Sequence, residues 1–103
     1  MRFTPRAPGD GKYADTAVRG IRYTVSDRAT YDPTRTAIAT LAAIHALHGD
    51  SLQFIVSHFD RLAGTDDVRT ALLAGAGVEE VTRGWSEQLA AFRERRAPHL
   101  LYP

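Results

Sequence analysis

The chain has 103 residues, 44% of them hydrophobic and 24% charged, which is the usage of one globular domain with a single core rather than of a disordered segment. It has no cysteine, so disulfides, thiolate metal sites and cysteine nucleophiles are excluded together. Thirteen basic residues against twelve acidic ones leave a net charge of +1, and no block of like charge or basic stripe points to a nucleic-acid partner.

Residues 5–12 (PRAPGDGK) carry two Pro and two Gly and read as an irregular lead-in. From Gly20 the pattern alternates, with Ile21, Tyr23 and Val25 on one face and Arg22, Thr24 and Ser26 on the other. This predicts a half-buried strand over about 20–27. Asp32-Pro33 then gives a helix start, an N-cap carboxylate followed by Pro at the first helical position. The helix is expected to run over 33–48 and to stop at Gly49 in the left-handed position. Its apolar stripe includes Ile38, Leu41 and Ile44, and its alanines permit close approach of a neighbour.

Leu52 to Val56 is short, apolar and β-branched, either a strand or the start of a helix. Phe59 to Gly64 reads as a single turn ending at glycine, and Thr65 as the N-cap of a helix over 66–74 that Gly75 and Gly77 close. A last helix over 78–95 sets Val81, Trp85, Leu89 and Phe92 on one face, with Trp85 as a core anchor. Gly84 weakens that helix by about 1 kcal/mol relative to Ala, and close packing would account for it. Val78 begins the helix without a side-chain cap. Pro98 ends it, leaving residues 99–102 as a terminal strand or tucked tail. The fold class is therefore α+β, a small sheet with about three helices in one domain spanning 1–103.

No apolar run approaches the ~20 residues needed to span a bilayer, and the residues after Met1 lack the apolar stretch of a signal peptide. As it stands the chain reads as cytoplasmic, with no membrane partner. His45 and His48 stand three apart on one helix without a third ligand in a recognised spacing, so no metal site is expected and no cofactor. Asp66-Asp67 and Glu79-Glu80 lie in first helical turns, where anions belong for structural reasons. No serine stands in a G-x-S-x-G context. The segment most suited to a ligand runs from Asp27 to Thr36, between a strand end and a helix start. Asp27, Arg28, Tyr31 and Arg35 offer a carboxylate, two guanidiniums and a phenol there, a set suited to a sugar, although the residues alone favour a capped, salt-bridged loop.

The landmarks occur in a recognisable order. They are Phe3-x-Pro5, Lys12-Tyr13 and Gly20-Ile21-x-Tyr23-x-Val25-x-Asp27-Arg28-x-x-Tyr31-x-Pro33, followed by Phe59-Asp60-x-Leu62-Ala63-Gly64-Thr65-Asp66-x-x-Arg69. Then come Ala74-Gly75, Trp85 and Phe92-x-x-x-Arg96-x-x-x-Leu100-Leu101-Tyr102. In combination they resemble the C-terminal domain of the NamZ-type exo-β-N-acetylmuramidases, bacterial glycoside hydrolases acting on peptidoglycan fragments. The resemblance implies release of N-acetylmuramic acid from peptidoglycan-derived saccharides. It also implies a cleft shared with a larger N-terminal Rossmann-like domain that carries the catalytic acid. No catalytic residue falls on this chain by that resemblance, and a separate N-terminal catalytic domain is its expected partner. Asp27, Arg28, Tyr31 and Arg35 match the family's strand-to-helix segment and become candidate saccharide-binding residues. The alternative is a stand-alone sugar-binding or protein-interaction module without hydrolase activity. A third expectation is a homodimer formed through the exposed part of the Ala-rich helix.

Overall fold

The computed structural model describes residues 1–102, which fall into two compact units, residues 1–31 and the chain from Asp32 onward. In the first unit, strands β1 (Arg2–Phe3) and β2 (Val18–Arg19) pair antiparallel, with Arg2 opposite Arg19 and Phe3 opposite Val18. A reciprocal pair of bonds extends the ladder by one step. The Met1 amino group donates to the Gly20 carbonyl at 2.7 Å, and the Gly20 amide donates to the Met1 carbonyl at 2.9 Å. The Pro/Gly-rich lead-in is irregular and held by turns, among them Gly11 N–H to the Pro8 carbonyl and Asp15 N–H to the Pro5 carbonyl, both 2.9 Å.

The sheet is real, but it does not lie where the alternation placed it. Residues 20–27 form no strand. Alternating side chains define two faces, yet a strand also needs a backbone partner, and β1 is only two residues long. Pairing is spent by Gly20, and Ile21 and Tyr23 are 63% and 56% exposed.

The second unit is helical. Helix α1 (Pro33–His48) starts as the sequence predicts: Asp32 takes an extended conformation and its Oδ1 accepts from the Arg35 amide at 2.9 Å. It stops differently. Gly49 keeps right-handed angles because the chain passes directly into a 3-10 turn, Gly49–Ser51. The stretch 52–56 forms no strand, and Val56 opens helix α2 (Val56–Ala63), longer than the single turn expected. Gly64 closes α2 in the left-handed conformation, φ 77°, its amide donating to the Asp60 carbonyl at 2.9 Å.

Helix α3 (Asp67–Leu73) follows. The expected cap, Thr65, still holds an amide of its first turn, Asp67 N–H at 3.1 Å. At its end the Gly75 amide bonds the Leu72 carbonyl and the Ala76 amide bonds the Ala71 carbonyl, each at 3.0 Å, the paired bonds of a Schellman closure.

The single helix expected over 78–95 is two helices, α4 (Val78–Val81) and α5 (Trp85–Arg96). Gly84 between them has φ 82°, and a Cβ built on it meets nothing within 4 Å. The glycine is there for its backbone angle and not for close packing, because a left-handed φ is costly for residues with a Cβ. The N-terminus of α4 lies behind Gly77 without a side-chain cap, as Val78 suggested. Residues 97–99 form a 3-10 turn rather than leading into a terminal strand, and Leu100 to Tyr102 are exposed.

The core of this unit is small. Ile38, Val68 and Leu72 are buried, Leu72 completely, and Leu41, Phe54, Phe59, Val81 and Trp85 pack around them. Helix α1 packs against α3 and α4, and α3 also against α2. Phe54 and Phe59 meet edge to face with centroids 4.7 Å apart. Trp85 is half-buried at the edge of this cluster and serves as the anchor the sequence indicates.

Candidate functional site

The four candidate residues are distributed over both units. Asp27, Arg28 and Tyr31 belong to the first and Arg35 to the second. Asp27 is engaged locally. Its Oδ1 accepts from the Ala29 amide at 2.8 Å and its Oδ2 from the Thr30 hydroxyl at 2.9 Å. The Ala29 amide, and then the Thr30 hydroxyl, hold its carboxyl below the usual carboxylate range. An Asp bonding two residues ahead in this way builds a turn, so this carboxylate is spent on shaping the segment that displays Arg28 and Tyr31. Both of those side chains are exposed, and neither has a hydrogen-bond or ion-pair partner among the described residues.

Arg35 is also engaged. Its guanidinium pairs with Glu79 through Nη2 and reaches Thr82 Oγ1 through Nη1 at 3.5 Å, joining the first turn of α1 to α4. Sequence reading missed this partner, which lies 44 residues away. The only signal was that Glu79 is an acid in a first helical turn, and that position already had a structural reason. With Asp32 used as the α1 cap, both carboxylates of the 27–36 segment serve the backbone.

Within the second unit lies a groove of about 580 Å³ between α1, α2 and α5, whose floor includes Ile38 and Val68 and whose rim includes Leu62, Trp85 and Leu89. Its polar groups are Thr34, Thr65 and Gln88, and no titratable side chain lines it. The groove therefore offers shape and apolar surface but no general acid, base or charged nucleophile. Among the described residues no group of three His, Asp or Glu is placed to hold a metal ion, and no helix is long and apolar enough to cross a membrane.

The longest of the sequence landmarks, Phe59 to Arg69, is a structural clamp. Phe59 packs on the core and Gly64 turns the chain. Arg69 of α3 reaches back to Asp60 of α2 with Nε–Oδ1 at 2.8 Å and Nη2–Oδ2 at 2.9 Å. The two-point bond holds the Asp60 carboxyl below its ordinary range and raises the Arg69 guanidinium above its own.

These features lie in a chain that a family model matches from residue 1 to residue 102, the model described as "Exo-beta-N-acetylmuramidase NamZ, C-terminal". The chain belongs to that family. It is 28% identical over 103 residues to the peptidoglycan beta-N-acetylmuramidase NamZ of Bacillus subtilis (strain 168). The match covers 99% of this chain and 25% of that protein, so the chain spans about a quarter of the length of this curated NamZ relative. No solved structure matches the chain. This member of the family is an α+β chain, with a two-stranded sheet in its first unit and a helical core in its second.

Proposed function

We propose that this domain is the saccharide-contacting, non-catalytic part of a peptidoglycan-degrading exo-β-N-acetylmuramidase, the enzyme type that releases terminal N-acetylmuramic acid. The observation that carries the reading is the family match over residues 1–102. The chemistry on the chain agrees with it. Glycoside hydrolysis generally needs two carboxyl groups facing each other across the scissile bond, whereas Asp27 and Asp32 are committed to a turn and a cap and Asp60 to Arg69. Arg28 and Tyr31 are the groups left to a ligand: a guanidinium suits the carboxylate of a muramic acid, and a phenol suits sugar hydroxyls and ring faces. Asp27 contributes through the turn it holds; Arg35, in the other unit, is a candidate by itself through the donors that Glu79 leaves free.

A chromogenic N-acetylmuramic acid β-glycoside tests the reading. The chain alone is expected to show no turnover, and to support turnover when the remaining part of the Bacillus subtilis relative is supplied in trans. Turnover by the chain alone would end the proposal. In parallel, NMR titration with N-acetylmuramic acid saccharides is expected to shift the amides of residues 28–31, with Arg28→Ala and Tyr31→Phe weakening the response. Binding without any gain in hydrolysis would favour the stand-alone binding module instead.

A further inference from the structure

We propose that Arg2 and Arg19 form a binding site for a phosphate group on one face of the two-stranded sheet. The register sets these two residues directly opposite each other across β1 and β2. Neighbouring residues of a strand point to opposite faces, so Phe3 and Val18 occupy the other face. There the Phe3 ring lies across Gly20, where an added Cβ would come within 2.6 Å of it. The apolar contact thus takes one face of the ladder and leaves the two guanidiniums together on the second. Both arginines are exposed.

Like charges directly opposite on a sheet repel, and this pair has no internal counter-ion. The unit of residues 1–31 holds six basic side chains, Arg2, Arg6, Lys12, Arg19, Arg22 and Arg28, against three carboxylates, Asp10, Asp15 and Asp27. Asp10 accepts from the Lys12 amide, and Asp27 from the Ala29 amide and the Thr30 hydroxyl. Among the described residues the ion pairs are Arg35–Glu79 and Arg69–Asp60, both in the other unit, so none of the three neutralises Arg2 or Arg19. The Cβ atoms of directly opposite residues stand about 4.5–5.5 Å apart, close enough for two long side chains to converge on one anion. A single planar fork already satisfies both oxygens of a carboxylate. Two forks side by side suit a phosphate, whose further oxygens take the second guanidinium. The site is independent of the saccharide reading of Arg28 and Tyr31.

An NMR titration of the full chain with inorganic phosphate at constant ionic strength tests the proposal. The amides of Arg2, Phe3, Val18 and Arg19 are expected to shift saturably, with a dissociation constant on the order of 1 mM. Acetate should bind at least about tenfold more weakly. Methyl phosphate and dimethyl phosphate then distinguish a terminal phosphate from a bridging one, binding by either supporting the site. Arg2→Gln and Arg19→Gln should each weaken phosphate at least about tenfold. They should also raise the thermal midpoint or leave it unchanged, because the cross-strand repulsion is gone. A ring-current shift retained at Gly20 shows that Phe3 still packs there and that the ladder stands. Where that shift is lost, Arg19→Lys replaces the variant and should still weaken binding, because an ammonium has no fork. Arg22→Gln, in the same unit but outside the ladder, should leave the affinity unchanged. Absence of a saturable shift at Arg2 and Arg19, or equal affinity for acetate and phosphate, would overturn the proposal. An equal loss with Arg22→Gln would overturn it too, in favour of the diffuse charge of the unit.

Discussion

Arg69 grips both carboxylate oxygens of Asp60, at 2.8 and 2.9 Å, with the two side chains only 18% and 22% exposed. This fork joins α2 to α3 across Gly64, and it explains why an aspartate and an arginine stand nine residues apart in the sequence landmark. A planar guanidinium can make both bonds at once, and an ammonium cannot. Arg69→Lys is therefore expected to lower the thermal midpoint by a few degrees, and Arg69→Ala by more, in a calorimetric scan. Equal midpoints for Arg69→Lys and the parent chain would show that charge alone suffices.

The same pair sets an acid limit. The folded Asp60 carboxyl titrates below the ordinary carboxylate range because Arg69 bonds the ionised form. Its contribution to stability is then complete above about pH 4 and is lost as pH falls through the lowered folded value. Asp27, lowered in the same direction, adds to the trend in its own unit. Denaturation midpoints measured from neutral pH downward should fall below about pH 4. Asp60→Asn should start lower at neutral pH and lose less on further acidification.

Leu72 is completely buried in a core whose other buried members are Ile38 and Val68. So small a cluster has few neighbours able to close a void. Leu72→Ala should cost roughly 2–5 kcal/mol in urea unfolding, from lost transfer energy together with the cavity left behind. A loss under about 1 kcal/mol would mean that the site collapses around the change.

Arg35 and Glu79 form a testable couple between α1 and α4. The pair is exposed, 44% and 79% by side chain, so a double-mutant cycle with Arg35→Ala and Glu79→Ala should give a coupling of about 0.2–1 kcal/mol. If the saccharide reading holds, Glu79→Ala alone should not weaken ligand binding, because it releases Arg35 rather than removing it. A loss of binding equal to that of Arg35→Ala would assign the pair a purely structural role.

The parts of the fold legible in the sequence are those written in local chemistry. Asp32-Pro33 announces α1, and the cap bond it promises is made to Arg35. Thr65 holds the first amide of α3, and Gly75 and Ala76 close its end. What escaped were facts settled by distant partners or by single backbone angles. Alternation at Ile21, Tyr23 and Val25 carries no information about whether a neighbouring strand is long enough to pair with it. The stripe Val81, Trp85, Leu89, Phe92 is continuous in spacing, so the left-handed Gly84 is hidden within it. In the candidate site, Arg28 and Tyr31 are exposed. Asp27 and Arg35 are engaged as in a capped, salt-bridged loop, but the partner of Arg35 was not legible, because its bond to Glu79 spans 44 residues.

That hidden glycine has a consequence for how the domain addresses its surroundings. Beyond Gly84 the chain has one half-buried anchor, Trp85, and then eleven helical residues that touch the core hardly at all. Burial fixes where this arm is rooted, while its heading follows from one φ angle of 82°. A replacement that cannot adopt the angle would leave the buried cluster formed and swing the arm elsewhere. The domain can thus keep its shape and still lose its aim.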